Sequence, residues 1–184
     1  MITKAVVMTE PGSLAIQPVD LKNPSTEDVV IEINYSGIST GTEKLFYNGK
    51  MPQFPGMGYP LVPGYESTGE VVQAPKDSNL KVGDMVFVPG ADCYSGSVKS
   101  LFGGAARMIV SAPNRLIKID STMGCSGALF ALAATARHAI AGFGNKMPDV
   151  IVGHGVLGRL LARLVILAGE KPPIVWAVSY THLR

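Results

Sequence analysis

A chain of 184 residues with 47% hydrophobic composition is long enough for one buried core and part of a second. Its net charge of +2, with 16% charged residues and no polybasic tract, argues against nucleic acid as a partner. The two cysteines, Cys93 and Cys125, are too few for a disulfide framework and fit a reducing cytoplasm. No run approaches the ~20 apolar residues that span a bilayer.

Met1 to Lys4 leads directly into Ala5 to Met8, which has the pattern of a strand and not of a secretory signal. Pro11-Gly12 separates it from Leu14 to Ile16, and Asp28 to Tyr35 alternates as a half-buried strand does. Between Leu45 and Pro63 the run MPQFPGMGYPLVPG begins, with four prolines and three glycines. Such a segment is stiff and costs little entropy to order. With Phe54, Met57 and Tyr59 it reads either as a wall for a large flat apolar ligand or as a loop burying its aromatics on its own domain. Further strands are expected over Ser67 to Val72 (Gly69 marking a bulge or bend), Val82 to Val88, Ala106 to Val110 and Leu116 to Ile119. Short strands at this spacing predict a barrel or sandwich over residues 1–122.

The composition changes at Met123. Gly124 to Gly142 is rich in alanine and leucine and predicts a helix, on which His138 reads as a capping or packing histidine. Pro148 to Trp176 then runs in the order strand, glycine turn, helix, strand, with Gly153-His154-Gly155-Val156-Leu157-Gly158 as the turn. Gly153 allows a tight exit from the strand, Gly155 leaves room for a pyrophosphate against the backbone, and Gly158 lets the helix pack on the strand. The free amides of the helix N-terminus attract the anion, and His154 lies at that phosphate end. Leu157, Leu160, Leu161, Leu164, Val165 and Ala168 form one apolar stripe that excludes Arg159 and Arg163. Gly169 and Pro172-Pro173 close the helix. The acidic residue that holds ribose hydroxyls, about 20 residues on, is missing. Residues 123–177 therefore read as a truncated dinucleotide-binding domain, and residues 178–184 as a non-native tail. The fold class is β + α/β.

The Val82 to Pro89 segment VGDMVFVP, the alanine-rich helix and VIVGHGVLG together resemble the medium-chain dehydrogenase/reductase family. That resemblance implies a GroES-like β-barrel domain followed by a Rossmann domain. Four runs, Ser36 to Lys44, Phe54 to Glu66, Leu101 to Ala106 and Val152 to Arg163, are similar to one branch of bacteriochlorophyll synthesis. The similarity implies an oxidoreductase that uses NAD to convert the 3-hydroxyethyl group of a bacteriochlorophyllide, a tetrapyrrole, to 3-acetyl. For the full-length protein a homo-oligomer is compatible with this. Alternative readings are a zinc-free, NADPH-dependent quinone or enone reductase of the same superfamily, or an inactive GroES-like binding fragment.

Zinc-dependent relatives place a cysteine and a histidine where this chain has Ser39 and Tyr65, whose oxygens are poor zinc ligands. No metal is expected, and Cys93 reads as a small buried residue rather than a ligand. Oxidation of an alcohol still needs a base. The candidates are Ser39, Thr40, Thr42, Tyr65 and Glu66, of which Glu66 is either the base or a structural partner. The resemblance puts Thr135 near the nicotinamide, although a helix threonine also bonds its own backbone. Glu43 and Lys44 read as a solvated turn.

Overall fold

The computed structural model describes residues 1–144 and 146–177, so the tail expected at 178–184 lies outside the described residues. The chain forms two compact units, Met1–Ala128 and the part from Leu129 onward, whereas the change in composition is at Met123.

The first unit is built from β1 (Ile2–Glu10), β2 (Ser13–Asp20), β3 (Val29–Ser36), α1 (Thr42–Tyr47), β4 (Leu61–Val62), β5 (Ser67–Gln73), β6 (Met85–Val88), β7 (Lys99–Ser100), β8 (Met108–Ser111) and β9 (Ile117–Lys118). Alternation drives the layout. On β1, Thr3, Ala5 and Val7 are buried while Ile2 and Lys4 face outward, the period of two that a half-buried strand requires. Two sheets result, in the orders β2-β1-β4-β7 and β8-β3-β5-β6-β9. Ala5 and Val7 from one sheet share a core with Val29, Ile31, Val71, Val86, Val88 and Ile109 from the other. Each buried valine or isoleucine of this set stabilises the fold by roughly 1.5–3 kcal/mol. The β3–β5 pairing shifts between Ile33 and Tyr35, opposite Gly69 and Thr68, so the irregularity expected at Gly69 falls on the facing strand.

Three elements have no counterpart in the sequence expectations: α1, β4 and β7. Six residues are too few to display a helical period, and two-residue strands display none. α1 ends in a Schellman motif, with Gly49 at φ +66 and the Lys50 N–H donating to the Leu45 carbonyl at 2.9 Å. The proline-glycine loop packs Met51, Phe54, Met57 and Tyr59 against a small cluster of Met8, Phe46, Leu61 and Leu101. The Tyr59 hydroxyl donates to the Phe46 carbonyl. The four loop side chains are partly buried on their own domain, as one of the two readings of this loop requires.

Residues Ser121–Leu129 form 3-10 turns broken at Gly124, and α2 (Phe130–Gly142) follows. The single helix expected from Gly124 thus begins later, because Gly124 adopts φ 52, ψ −133, outside any helix. His138 is exposed on α2, neither capping nor packing. The second unit continues with β10 (Val150–Val152), α3 (Val156–Leu167) and β11 (Ile174–Trp176), β10 and β11 pairing in parallel. In α3 the expected stripe is inward at Leu160, Leu161, Leu164 and Val165, whereas Leu157 and Ala168 at its two ends are exposed. Its C-terminus is a second Schellman motif, with Ala168 as C-cap and Gly169, at φ +80, just beyond.

Candidate active site and dinucleotide turn

Three segments distant in sequence meet at Gly64 to Glu66. Gly64 has φ +102, and a Cβ there would lie 2.7 Å from the Ala105 nitrogen and 3.2 Å from the Ser36 hydroxyl, so only glycine fits. The Gly104 N–H donates to the Gly64 carbonyl at 2.8 Å, the Ala105 N–H to Pro63 at 2.9 Å, and the Gly37 N–H to the Glu66 carbonyl at 2.7 Å. Ser67 donates from Oγ to the Gly104 carbonyl at 2.9 Å and stands 3.2 Å from Ser36 Oγ. Three of the four runs singled out in the sequence are thereby tied into one corner of the β unit.

Glu66 sits in this corner, 7% exposed, and its Oε1 is buried with no hydrogen-bond partner. A Cβ on residue 37 would come within 2.6 Å of Oε2, so Gly37 is what makes room for the carboxyl group. Burial first, and the negative charge of Glu43 second, push the Glu66 carboxyl above the usual carboxylate range. A native buried acid left without a partner points to function before it points to stability.

The reading of Glu43 as part of a solvated turn is corrected. Glu43 is 5% exposed, because α1 begins at Thr42 and carries Glu43 and Phe46, one turn apart, onto its inner face. Its Oε2 accepts the Ser39 N–H at 2.9 Å. Burial raises its carboxyl too, partly offset by N–H groups of its own residue, Ser39 and Gly64. Lys44 is exposed, as expected of it.

Ser39 Oγ accepts the N–H groups of Gly41 and Thr42 at 3.2 and 3.1 Å, which winds the turn into α1. Thr42 is half-buried and Thr40 exposed. The Tyr65 ring stands edge-on to Phe102, centroids 5.5 Å apart at 86°. Ser39 and Tyr65 thus offer hydroxyls where zinc needs thiolate and imidazole, and this donor set does not fit zinc. Among the described residues, no three His, Cys, Asp or Glu side chains gather as a metal site would require. Cys93 is buried, and burial pushes its thiol up; Cys125 is exposed. Phe102 and Glu43 are the members of this corner that sequence reasoning missed.

In the second unit, Gly153 leaves β10 at φ +102 and its N–H donates to the Trp176 carbonyl at 2.8 Å. A Cβ on Gly158 would lie 2.3 Å from the Gly153 carbonyl oxygen, while one on Gly155 would meet nothing within 4 Å. Gly155 is the N-cap of α3, with φ −74, ψ −174 and no side-chain cap bond. The fold therefore demands glycine at 153 and 158 but not at 155. His154, Gly155, Val156 and Leu157 are all exposed, and the first N–H groups of α3 lack a side-chain cap. Thr135, exposed on α2, donates to the Ala131 carbonyl at 3.0 Å, the bond open to any helix threonine. Among the described residues, no helix is long and apolar enough to cross a membrane.

A two-sheet β unit followed by a parallel strand–turn–helix–strand unit is the plan of an alcohol-dehydrogenase-type protein. The chain belongs to the alcohol dehydrogenase GroES-like domain family, whose model matches residues 25–141. It is 58% identical over 179 residues to the 2-desacetyl-2-hydroxyethyl bacteriochlorophyllide A dehydrogenase of Rhodobacter capsulatus, covering 97% of this chain and 57% of that protein. The protein of the same name from Cereibacter sphaeroides is 56% identical over 188 residues, covering 100% and 59%. The chain thus spans less than two thirds of the length of these relatives. Among solved structures, a short chain alcohol dehydrogenase from E. coli CFT073, complexed with cofactor NADH, superposes with a TM-score of 0.76 at 18% identity, covering 98% of this chain and 63% of that one.

Proposed function

We propose that the whole protein is an NAD-dependent dehydrogenase, cytoplasmic, that oxidises the hydroxyethyl side chain of a bacteriochlorophyllide to an acetyl group. The observation that carries this reading is the buried Glu66, whose Oε1 has no hydrogen-bond partner, in a chain so similar to relatives named for that activity. Residues 1–122 act on the substrate side, and residues 123–177 begin a Rossmann domain.

The secondary alcohol loses its hydroxyl proton and the hydride on its carbinol carbon, leaving the ketone. Bound NAD supplies the hydride acceptor. Glu66 takes the proton, directly or through the hydroxyls of Ser39, Thr40, Thr42 or Tyr65, and burial, by raising its carboxyl, makes it a stronger base than an exposed carboxylate. Gly153, His154, Gly155, Val156, Leu157 and Gly158 hold the pyrophosphate. The open space at Gly155 and the uncapped N–H groups of α3 leave room for that group against the backbone. Thr135 keeps acceptor lone pairs for the nicotinamide end. Turnover belongs to the whole protein and not to these 184 residues alone.

The test is to express the whole protein, supply the hydroxyethyl bacteriochlorophyllide with NAD or NADP, and identify the product by mass and by the absorption change of a carbonyl conjugated to the ring. The expected result is a product two hydrogens lighter, formed faster with NAD. Absence of that product with both cofactors overturns the reading.

A further inference from the structure

Phe102 is 41% exposed, yet its backbone is held by hydrogen bonds on both sides. The N–H groups of its neighbours Leu101 and Gly103 both donate to the Val62 carbonyl at 2.9 Å, and the Phe102 carbonyl accepts the Ala91 N–H at 2.9 Å. The Tyr94 hydroxyl donates to the Gly103 carbonyl at 2.6 Å. Gly103, at φ +82, lies so close to the next loop that a Cβ would stand 2.1 Å from the Ala91 carbonyl oxygen. Leu101, 8% exposed, fills the core in this region, while the Phe102 ring stands further out. That ring is braced from within, by Tyr65 edge-on at 5.5 Å and by Phe46 at 6.5 Å and 60°. Tyr65 is the residue before Glu66. The arrangement is a preorganised aromatic surface in the corner that also holds the candidate base, since the Leu101 to Gly104 backbone is bonded to Val62 and Gly64, and a rigid ring loses little entropy when a second ring covers it.

Resting on the reading of the site given above, we infer that Phe102 sets specificity: its ring forms the surface on which the planar conjugated ring system of the substrate lies beside Glu66. The contact discriminates by flatness and π character, not by charge. Leucine at this position keeps apolar bulk without a π face, whereas tryptophan keeps the face.

The experiment uses the whole protein and titrates hydroxyethyl bacteriochlorophyllide by its absorption change, with turnover measured separately. F102L is expected to weaken binding about tenfold, the effect of losing one aromatic contact, and to raise KM with kcat within about threefold. F102W is expected to bind within about threefold of wild type, and F102L, which gives up the ring contacts to Tyr65 and Phe46, to melt only a few degrees lower. Wild-type affinity in F102L, or equal losses in F102L and F102W, overturns the inference while leaving the dehydrogenase reading intact. A wild type that neither binds nor oxidises the macrocycle overturns the dehydrogenase reading, and this inference with it.

Discussion

Substituting Gly155 and Gly158 by alanine, one at a time, should separate cofactor binding from folding. At Gly158 the new methyl would sit 2.3 Å from the Gly153 carbonyl oxygen, 3.2 Å from its carbon and 3.5 Å from Ile151 Cγ2. The nearest obstacle is backbone, so α3 must lift from β10 or the turn must open. Overpacking of this kind costs ~1–3 kcal/mol, and a backbone clash belongs at the upper end. Alanine returns ~1 kcal/mol through its better helix propensity. The net loss is about 2 kcal/mol, or ~4–8 °C for a chain of this size. At Gly155 the methyl meets nothing and the backbone is already in a region open to alanine. The poorer N-cap and the stiffer unfolded chain nearly offset, leaving a change within about 0.5 kcal/mol. The same methyl projects into the space assigned to the pyrophosphate, and NAD affinity should fall by about tenfold or more, ~1.4 kcal/mol. Urea unfolding of the whole protein followed by circular dichroism gives the stability arm. Calorimetric titration of the whole protein with NAD gives the binding arm. Two results would refute the reasoning: a Gly155→Ala protein as unstable as Gly158→Ala, or one that binds NAD unchanged.

Glu66→Gln should lower kcat/KM by roughly 10²–10⁴-fold, the usual worth of a positioned base, and also alter how stability depends on pH. A carboxyl raised by burial contributes stability that is present below its unfolded pKa and is lost as pH rises through the folded one. The melting difference, variant minus wild type, should therefore grow from mildly acidic to neutral pH, and an equal difference at both would sink the assignment. Glu43→Gln keeps an oxygen to accept the Ser39 N–H while removing the charge that is the second cause of the Glu66 shift. The acidic limb of its kcat/KM profile is expected to move to lower pH, and a profile superimposable on wild type would show that Glu43 does not act on the base.

What the sequence made legible follows from periodicity. β1, β3, β5 and α3 carry enough residues for alternation or a 3.6 period to emerge, whereas α1, β4 and β7 are too short for either. The corner around Glu66 was legible only in outline. Its residues are named in contiguous polar or glycine-rich runs, but that Glu43 is buried depends on α1, which no pattern announces. The places where local rules fail are informative for the same reason. A buried carboxyl oxygen has no partner at Glu66, a glycine has no steric need at Gly155, and an exposed aromatic is pinned at Phe102. A base, a phosphate-binding turn and a flat substrate surface account for one each. Glu43 completes the set from the opposite direction. It is a carboxyl buried like a core residue, and its negative charge is the second cause, after burial, of the raised carboxyl of Glu66.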